Sequence, residues 1–214
     1  VETAEAIQKH QGRAIVISRG GAMVRHLDRL GIKHYELDVH SKNPFRWPKL
    51  RRELKEIFLN EEVDLVHVRS RVPAWLAFPV TKSLGIPTVS TVHGRFVAHS
   101  VLKRFYNARL LKADHVIAIS NYVKGLITSQ YFGVEERLTV VHRGVDVELF
   151  NPQKVSQARI VNFFDDHAVP EDVPVIMLPA RATKWKGHYI LLKALAKIKD
   201  QPFICLMIGA GDGK

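Results

Sequence analysis

Four residues between an apolar run and a helical segment carry the chemistry that is easiest to recognise in this sequence. Arg181, Lys184, Lys186 and Gly187 follow the run 173–178, which is typical of a buried parallel strand. These cations are therefore predicted at the carboxyl edge of a sheet, beside a helix N-terminus, where backbone N–H groups suit a phosphate or a diphosphate. A basic loop of this kind is also common as plain solvated surface, and the stretch alone does not decide between the two.

A second group of candidates follows two predicted strands in the first half of the chain. His93 and Gly94 come directly after one strand, and Arg69 and Arg71 come after another. His93 could reach a ligand from the strand end, and Gly94 would let the backbone approach that ligand closely. The alternative for His93 is a ring that only satisfies a strand-end hydrogen bond. Arg69 and Arg71 could bind an anionic acceptor or could lie on the surface as ordinary arginines.

The elements that must position these residues alternate regularly along the chain. Apolar runs of strand length are followed by segments of helical periodicity, which is the pattern of α/β proteins with doubly wound parallel sheets. Ser120 is placed to cap one of the helices. The strands are predicted at 13–18, 34–37, 64–68, 86–92, 115–119, 138–142, 173–178 and 203–208, and the helices at 1–10, 24–30, 45–60, from 73 onward, 100–111, 121–130, 155–167 and after 187.

This order predicts two Rossmann-like domains of unequal completeness. Residues 1–150 form the first, with its first strand missing, and 151–170 form an interdomain linker with a helix that buries Ile160, Phe163 and Phe164. Residues 171–214 begin a second domain. Since two strands and one helix cannot cover both faces of a sheet, we expect the chain to be truncated at both ends.

Charge and composition narrow the function classes. The formal net charge of +11 favours a polyanionic or phosphorylated partner or an anionic membrane face, which the basic helices 46–55 and 103–112 could contact. No nucleic-acid-binding motif is present, so no nucleic acid is expected. The single Cys205 excludes an intramolecular disulfide, and no apolar run approaches the roughly 18 residues of a membrane span, so a cytoplasmic location is expected.

Five motifs in order resemble those of the family 4 glycosyltransferases, which are retaining enzymes of the GT-B fold. Each is a weak signal alone, but their order along almost the whole chain is specific. One of them departs from the family pattern, because the chain has HRGVD where the family has PNGVD. The motifs are DLVHVR at 64–69, TVHG at 91–94, ADHVIAIS at 113–120, VVHRGVD at 140–146 with Phe150 and Pro152 correctly spaced, and Ala180-Arg181 followed by Lys186-Gly187 and Leu191.

The resemblance implies a GT-B protein in which two Rossmann-like domains bind a nucleotide-sugar and an acceptor. Arg181 and Lys186 would bind the donor diphosphate and stabilise the charge that develops on it as it leaves. His93 would act near the sugar, and the acceptor or cleft candidates are Arg69, Arg71, Gly94 and Arg143. No D-x-D motif is present, so metal-free activation without a cofactor is expected.

The similarity is greatest to bacterial members that build lipopolysaccharide and other envelope glycans. The resemblance therefore implies a hexosyltransferase that acts on a glycan or lipid-linked acceptor and binds peripherally to the membrane. The 214 residues by themselves are expected to be inactive. Two alternatives remain open at this point. One is a basic polyanion-binding domain without catalysis, and the other is a fragment of a nicotinamide-dependent oxidoreductase, which the glycine-rich run 209–213 superficially suggests.

Overall fold

Two compact units, Val1–Gly144 and Val145–Lys214, make up the chain in the computed structural model, which describes residues 1–94, 96, 98–170 and 172–209. The segment 151–170, expected as an interdomain linker, lies inside the second unit and forms a helix. The glycine-rich residues 210–213 lie outside the described part of the chain. No helix of the described residues is long and apolar enough to cross a membrane.

Parallel strands and helices alternate as the sequence predicts. The strands are β1 (Ile15–Ser18), β2 (Lys33–Glu36), β3 (Val66–Val68), β4 (Thr88–Val92), β5 (His115–Ala118), β6 (Leu138–Val140), β7 (Val175–Pro179) and β8 (Ile204–Ile208). The helices are α1 (Glu2–Lys9), α2 (Val24–Arg29), α3 (Trp47–Asn60), α4 (Arg71–Leu84), α5 (Val101–Ala108), α6 (Asn121–Thr128), α7 (Gln157–Asp166) and α8 (His188–Leu195).

The first unit contains a two-stranded sheet, β1-β2, and a four-stranded sheet in the order β3-β4-β5-β6. All pairs are parallel, so the carboxyl ends of β3 to β6 lie at one edge. Ser120 caps α6 as predicted, because its Oγ accepts a hydrogen bond from the Val123 N–H at 3.2 Å. The predicted helix 100–111 is shorter than expected: α5 ends at Ala108, and Arg109–Lys112 continue as a 3-10 turn.

The core of the first unit lies between the four-stranded sheet and its helices. From α3, Leu50, Leu54 and Phe58 face this core, which is the side that their helical spacing predicts. Helix α4 contributes Leu76, which is fully buried, and the inner strand β5 contributes Val116. The sheet edge is thus held by a packed scaffold, and a side chain that follows a strand starts from a fixed position.

Charged side chains meet at the amino edge of the smaller sheet, in a group that we call the amino-edge cluster: Glu61, Arg13, Lys33 and Tyr35. The Glu61 side chain is 6% exposed. Its carboxylate accepts hydrogen bonds from Arg13 Nη1 at 3.0 Å, Lys33 Nζ at 2.6 Å and the Tyr35 hydroxyl at 2.5 Å. A second Arg13 N–H donates to the Glu61 carbonyl oxygen. These bonds tie the β1-β2 sheet to the end of α3 and satisfy the buried carboxylate.

The second unit differs from the sequence-based expectation in two respects. The strand β7 is not buried: alternate residues are exposed, with Met177 56% exposed. The helix α7 buries none of its residues, and both Ile160 and Phe163 are exposed, although burial was predicted. The cause is that, in the described part of this unit, β7 pairs with β8 alone, so its strands and helices have little surface against which to bury apolar side chains.

Candidate functional site

Three residues that follow different strands meet at the carboxyl edge of the four-stranded sheet. Arg69 follows β3, His93 follows β4, and Arg143 lies beyond the end of β6. Arg69 Nε lies 3.0 Å from His93 Nε2, and Arg143 Nη2 lies 3.1 Å from His93 Nδ1. We call Arg69, His93 and Arg143 the carboxyl-edge cluster. Since β5 lies between β4 and β6, it takes a side chain as long as arginine to reach His93 from the end of β6.

The charge state of His93 follows from its surroundings. Its ring is half-buried, and burial is the largest cause that lowers the pKa of His93 from 6.5 to about 4. The guanidinium groups of Arg69 and Arg143 lower this pKa further, because they disfavour a third positive charge. His93 is therefore a neutral imidazole at neutral pH, able to accept a hydrogen bond at one ring nitrogen and to donate one from the other.

A second histidine on the same sheet has a structural role. His67 lies within β3, and its Nε2 is 2.7 Å from the Thr91 Oγ of β4. Burial lowers the pKa of His67, and the charge of Arg69 adds to that effect. The hydrogen bond to Thr91 satisfies this half-buried ring inside the sheet, as expected for a packed mid-strand histidine.

The other two candidates at this edge do not join the cluster by hydrogen bonds. Arg71 is the first residue of α4, and its guanidinium carbon lies 5.1 Å from the centre of the Phe96 ring. The buried Nε of Arg71 has no hydrogen-bond partner among the described residues. Gly94 is exposed next to His93, and a Cβ built there would meet open space.

Among the described residues, no ion pair compensates the two arginines of the carboxyl-edge cluster. Between Asp64 and Asp114 the sequence has no Asp or Glu. Among the ion pairs of the described residues, none involves Arg69, Arg71 or Arg143. Positive charge in excess at the carboxyl edge of a parallel sheet, where such sheets bind their ligands, is suited to an anionic ligand.

The predicted phosphate loop lies in the second unit, between β7 and α8. Arg181 is exposed, and Lys184–Lys186 form a 3-10 turn that leads to Gly187, whose φ of 87° is favourable only for glycine. Lys186 Nζ lies 4.3 Å from the centre of the Trp185 ring. The structure therefore places Arg181 and Lys186 on one loop before the N-terminus of α8.

Two buried polar atoms near this loop lack a hydrogen-bond partner among the described residues, which the sequence alone does not predict. Thr183 Oγ and His188 Nδ1 are both buried and have no hydrogen-bond partner among the described residues. Buried polar atoms without partners are uncommon in folded proteins, and a bound ligand or water normally satisfies them. On the neighbouring strand, a Cβ at Gly209 would lie 2.3 Å from the Ala180 carbonyl oxygen, so only glycine lets β8 end this close to the loop.

The profile of Glycosyltransferase Family 4 matches residues 1–149, which include the whole carboxyl-edge cluster. The chain belongs to glycosyltransferase family 4. A curated relative, D-inositol 3-phosphate glycosyltransferase 1 of Catenulispora acidiphila, is 28% identical over 149 residues, covering 64% of this chain and 34% of the relative. Family membership leaves the oxidoreductase alternative without support.

Solved structures give the same assignment of the fold. A glycosyltransferase from Rickettsia africae is 36% identical, with a TM-score of 0.86, and the match covers 97% of this chain and 55% of that protein. HepE from Anabaena, in complex with UDP and glucose, is 20% identical with a TM-score of 0.80, over 98% of this chain and 56% of HepE. The predicted α/β fold of GT-B glycosyltransferases is confirmed, and the chain spans about half the length of these two structures.

Proposed function

We propose that the protein to which this chain belongs transfers a sugar from a nucleotide-sugar donor to a glycan or lipid-linked acceptor. The observation that carries the proposal is the family 4 match over residues 1–149. HepE, which shares the fold, was solved with UDP and glucose, and this supports a nucleotide-sugar as the donor. The motif resemblance to bacterial envelope enzymes supports a role in lipopolysaccharide-like glycan synthesis, with retention of configuration and without a metal ion.

In this proposal Arg181 and Lys186 bind the donor diphosphate. Charge develops on the diphosphate as the glycosidic bond breaks, and fixed cations stabilise that charge more in the transition state than in the ground state. The unpartnered Thr183 Oγ and His188 Nδ1 supply two further polar groups near the same loop. The neutral His93 contributes a hydrogen-bonding ring near the sugar and adds no positive charge of its own.

Calorimetric titration of UDP and UDP-glucose into the complete protein tests the donor site. In Arg181→Ala and Lys186→Ala we expect affinity to fall at least about tenfold, which corresponds to about 1.4 kcal/mol. Lys193→Ala is the matched control, because Lys193 Nζ also lies over an aromatic ring, 4.6 Å from the centre of Tyr189, but further along α8. Equal losses in Lys186→Ala and Lys193→Ala, or no loss in Arg181→Ala, would contradict this assignment.

Membrane association is the second part of the proposal, and α5 is the element that supports it. Val101 and Leu102 are 83% and 82% exposed, and Phe105 is 66% exposed. Lys103 and Arg104 lie on the same helix, and apolar side chains flanked by cations are typical of helices that bind anionic bilayers. The basic face of α3 is less suited, because Lys49 pairs with Glu53 on the same helix.

Flotation with vesicles that contain or lack anionic lipid tests this part. We expect binding to the anionic vesicles that weakens several-fold in Leu102→Asp and less in Phe105→Ala. Phe132→Ala is the matched control, since Phe132 is 85% exposed on a turn outside α5. Binding that is equal for the Leu102 variant and the wild type would remove α5 from the proposal.

A further inference from the structure

The carboxyl-edge cluster contains more hydrogen-bond donors than acceptors. A neutral imidazole has one nitrogen with a free lone pair and one N–H, yet an arginine lies at each of the two ring nitrogens of His93. Only one of the two guanidinium groups can therefore donate to the ring at any moment. The other guanidinium group faces an N–H, so that both of these donors lack an acceptor.

No protein group supplies the missing acceptor among the described residues. Neither Arg69 nor Arg143 forms an ion pair there, and each has His93 as its hydrogen-bond partner. The adjacent helix adds donors: Ser70 begins α4, but its side chain does not cap the first N–H groups, whereas Ser100 and Ser120 cap α5 and α6. Two cations and an imidazole N–H thus lie close together with no anion paired to them among the described residues, and the uncapped N-terminus of α4 begins next to Arg69.

Arg143 supplies the second cation at the ring. The family motif has asparagine at this position in PNGVD, where the chain has HRGVD. The side chain of an asparagine is shorter than that of an arginine and carries no charge. The substitution therefore converts a ring with one neighbouring cation, Arg69, into a ring between two cations.

We propose that Arg69 and Arg143 form an anion site at His93 that binds a phosphate group of the acceptor. The inference rests on the proposed function, in that it gives the acceptor of that reaction its chemical class. A guanidinium group binds phosphate through two parallel hydrogen bonds, and a tetrahedral phosphate has further oxygens left for the second guanidinium group. Arg69 and Arg143 are both exposed, so a ligand can reach them from solvent.

Imidazole NMR with inorganic phosphate as the probe tests the site, because an anion beside His93 favours its protonated form. We expect saturating phosphate to raise the pKa of His93 by about one unit or more, relative to chloride at equal ionic strength. This shift corresponds to a coupling of about tenfold between the proton and phosphate. The phosphate affinity is expected to fall at least about tenfold in Arg143→Asn and to be unchanged in Arg25→Gln, a variant of an exposed arginine on α2.

The donor diphosphate is the other possible source of the phosphoryl group, and UDP distinguishes the two. An acceptor site predicts that phosphate still shifts His93 in protein saturated with UDP, and that Arg181→Ala loses UDP affinity while it keeps the phosphate response. Displacement of phosphate by UDP would overturn the acceptor assignment. A His93 pKa that is insensitive to phosphate, or equal phosphate affinities of Arg143→Asn and Arg25→Gln, would overturn the site itself. Failure of the donor assignment would appear separately, as UDP binding that is indifferent to Arg181→Ala.

Discussion

The two edges of the parallel sheets in the first unit use charge in opposite ways. At the amino edge, the buried carboxylate of Glu61 is surrounded by Arg13, Lys33 and Tyr35, and every charged group has a partner. At the carboxyl edge, Arg69 and Arg143 are directed at a neutral histidine, and no carboxylate pairs with them among the described residues. The same residue types thus form a satisfied cluster on one side and an unsatisfied cluster on the other.

The difference indicates which cluster stabilises the fold and which is available to a ligand. Removal of one partner from a satisfied buried cluster leaves uncompensated charges, so such a cluster contributes to folding. A cluster of like charges contributes nothing favourable to folding until an anion binds. We therefore expect the amino-edge cluster to stabilise the fold and the carboxyl-edge cluster to be available to a ligand.

The largest effect is expected from Glu61→Gln. This change removes the carboxylate whose hydrogen bond is the largest cause of the raised pKa of Lys33, and it leaves Arg13 and Lys33 beside each other without a negative charge. We expect a clear fall in the melting temperature, measured by circular dichroism, with UDP affinity unchanged. The neighbouring Glu62→Gln is the control, because Glu62 is exposed and forms no ion pair among the described residues. Equal melting temperatures of the two variants would contradict the role of the amino-edge cluster.

The pH dependence of stability separates the two clusters. His93 is neutral in the folded chain down to about pH 4 but takes up a proton below about 6.5 when unfolded, so stability falls as the pH decreases between these values. The pKa of Glu61 is lowered from 4.5 by its hydrogen bonds to Lys33 and Tyr35, so its contribution is lost only at lower pH.

Urea denaturation across this pH range measures both contributions. We expect His93→Asn to flatten the slope of unfolding free energy between about pH 6.5 and 4, and Glu61→Gln to flatten the slope below about 4.5. A slope in the upper range that survives the loss of His93 would show that other groups titrate there.

A smaller effect is expected on the ionisation of His93 itself. Arg143→Asn removes one of the two cations, so the pKa of His93 should rise in the absence of ligand. It should remain below 6.5, because burial is the largest cause of the shift and Arg69 is still present. The titration of the imidazole by NMR gives this value directly, and an unchanged pKa would mean that Arg143 does not lie beside the ring in solution.

The smallest effect concerns His67, the structural histidine of the same sheet. Thr91→Val removes the hydroxyl at 2.7 Å from His67 Nε2 while it keeps the shape of the side chain. We expect a loss of about 1 kcal/mol in unfolding free energy, the usual value of one hydrogen bond, with phosphate and UDP binding unchanged. A loss of phosphate or UDP affinity in this variant would contradict the purely structural role of His67.

Local signals in the sequence predicted most of the fold. The periodicity of Leu50, Leu54 and Phe58 indicates the buried face of α3, and Ser120 is a correct helix cap. Expectations that depend on distant surroundings were less successful. Burial of Ile160 and Phe163 was wrong, because periodicity predicts which face of a helix is apolar and not whether another element covers that face.

The candidate site was predicted in its residue types but not in its contacts. The strand ends predict that Arg69 and His93 lie at one edge, since both follow strands of one parallel sheet. The approach of Arg143 to His93 depends on the strand order, in which β5 separates β4 from β6, and a local motif carries no such information. The amino-edge cluster was missed for the same reason: Glu61 is far along the chain from both Arg13 and Lys33.

The thermal unfolding of Arg143→Asn without ligand, at low salt, tests the central claim most directly. If Arg143 belongs to an uncompensated cluster that is available to an anion, its removal relieves repulsion and leaves the melting temperature unchanged or slightly higher, and added salt diminishes any gain. A fall comparable to that of Glu61→Gln would contradict the account. It would mean that the carboxyl-edge cluster, like the amino-edge cluster, stabilises the fold.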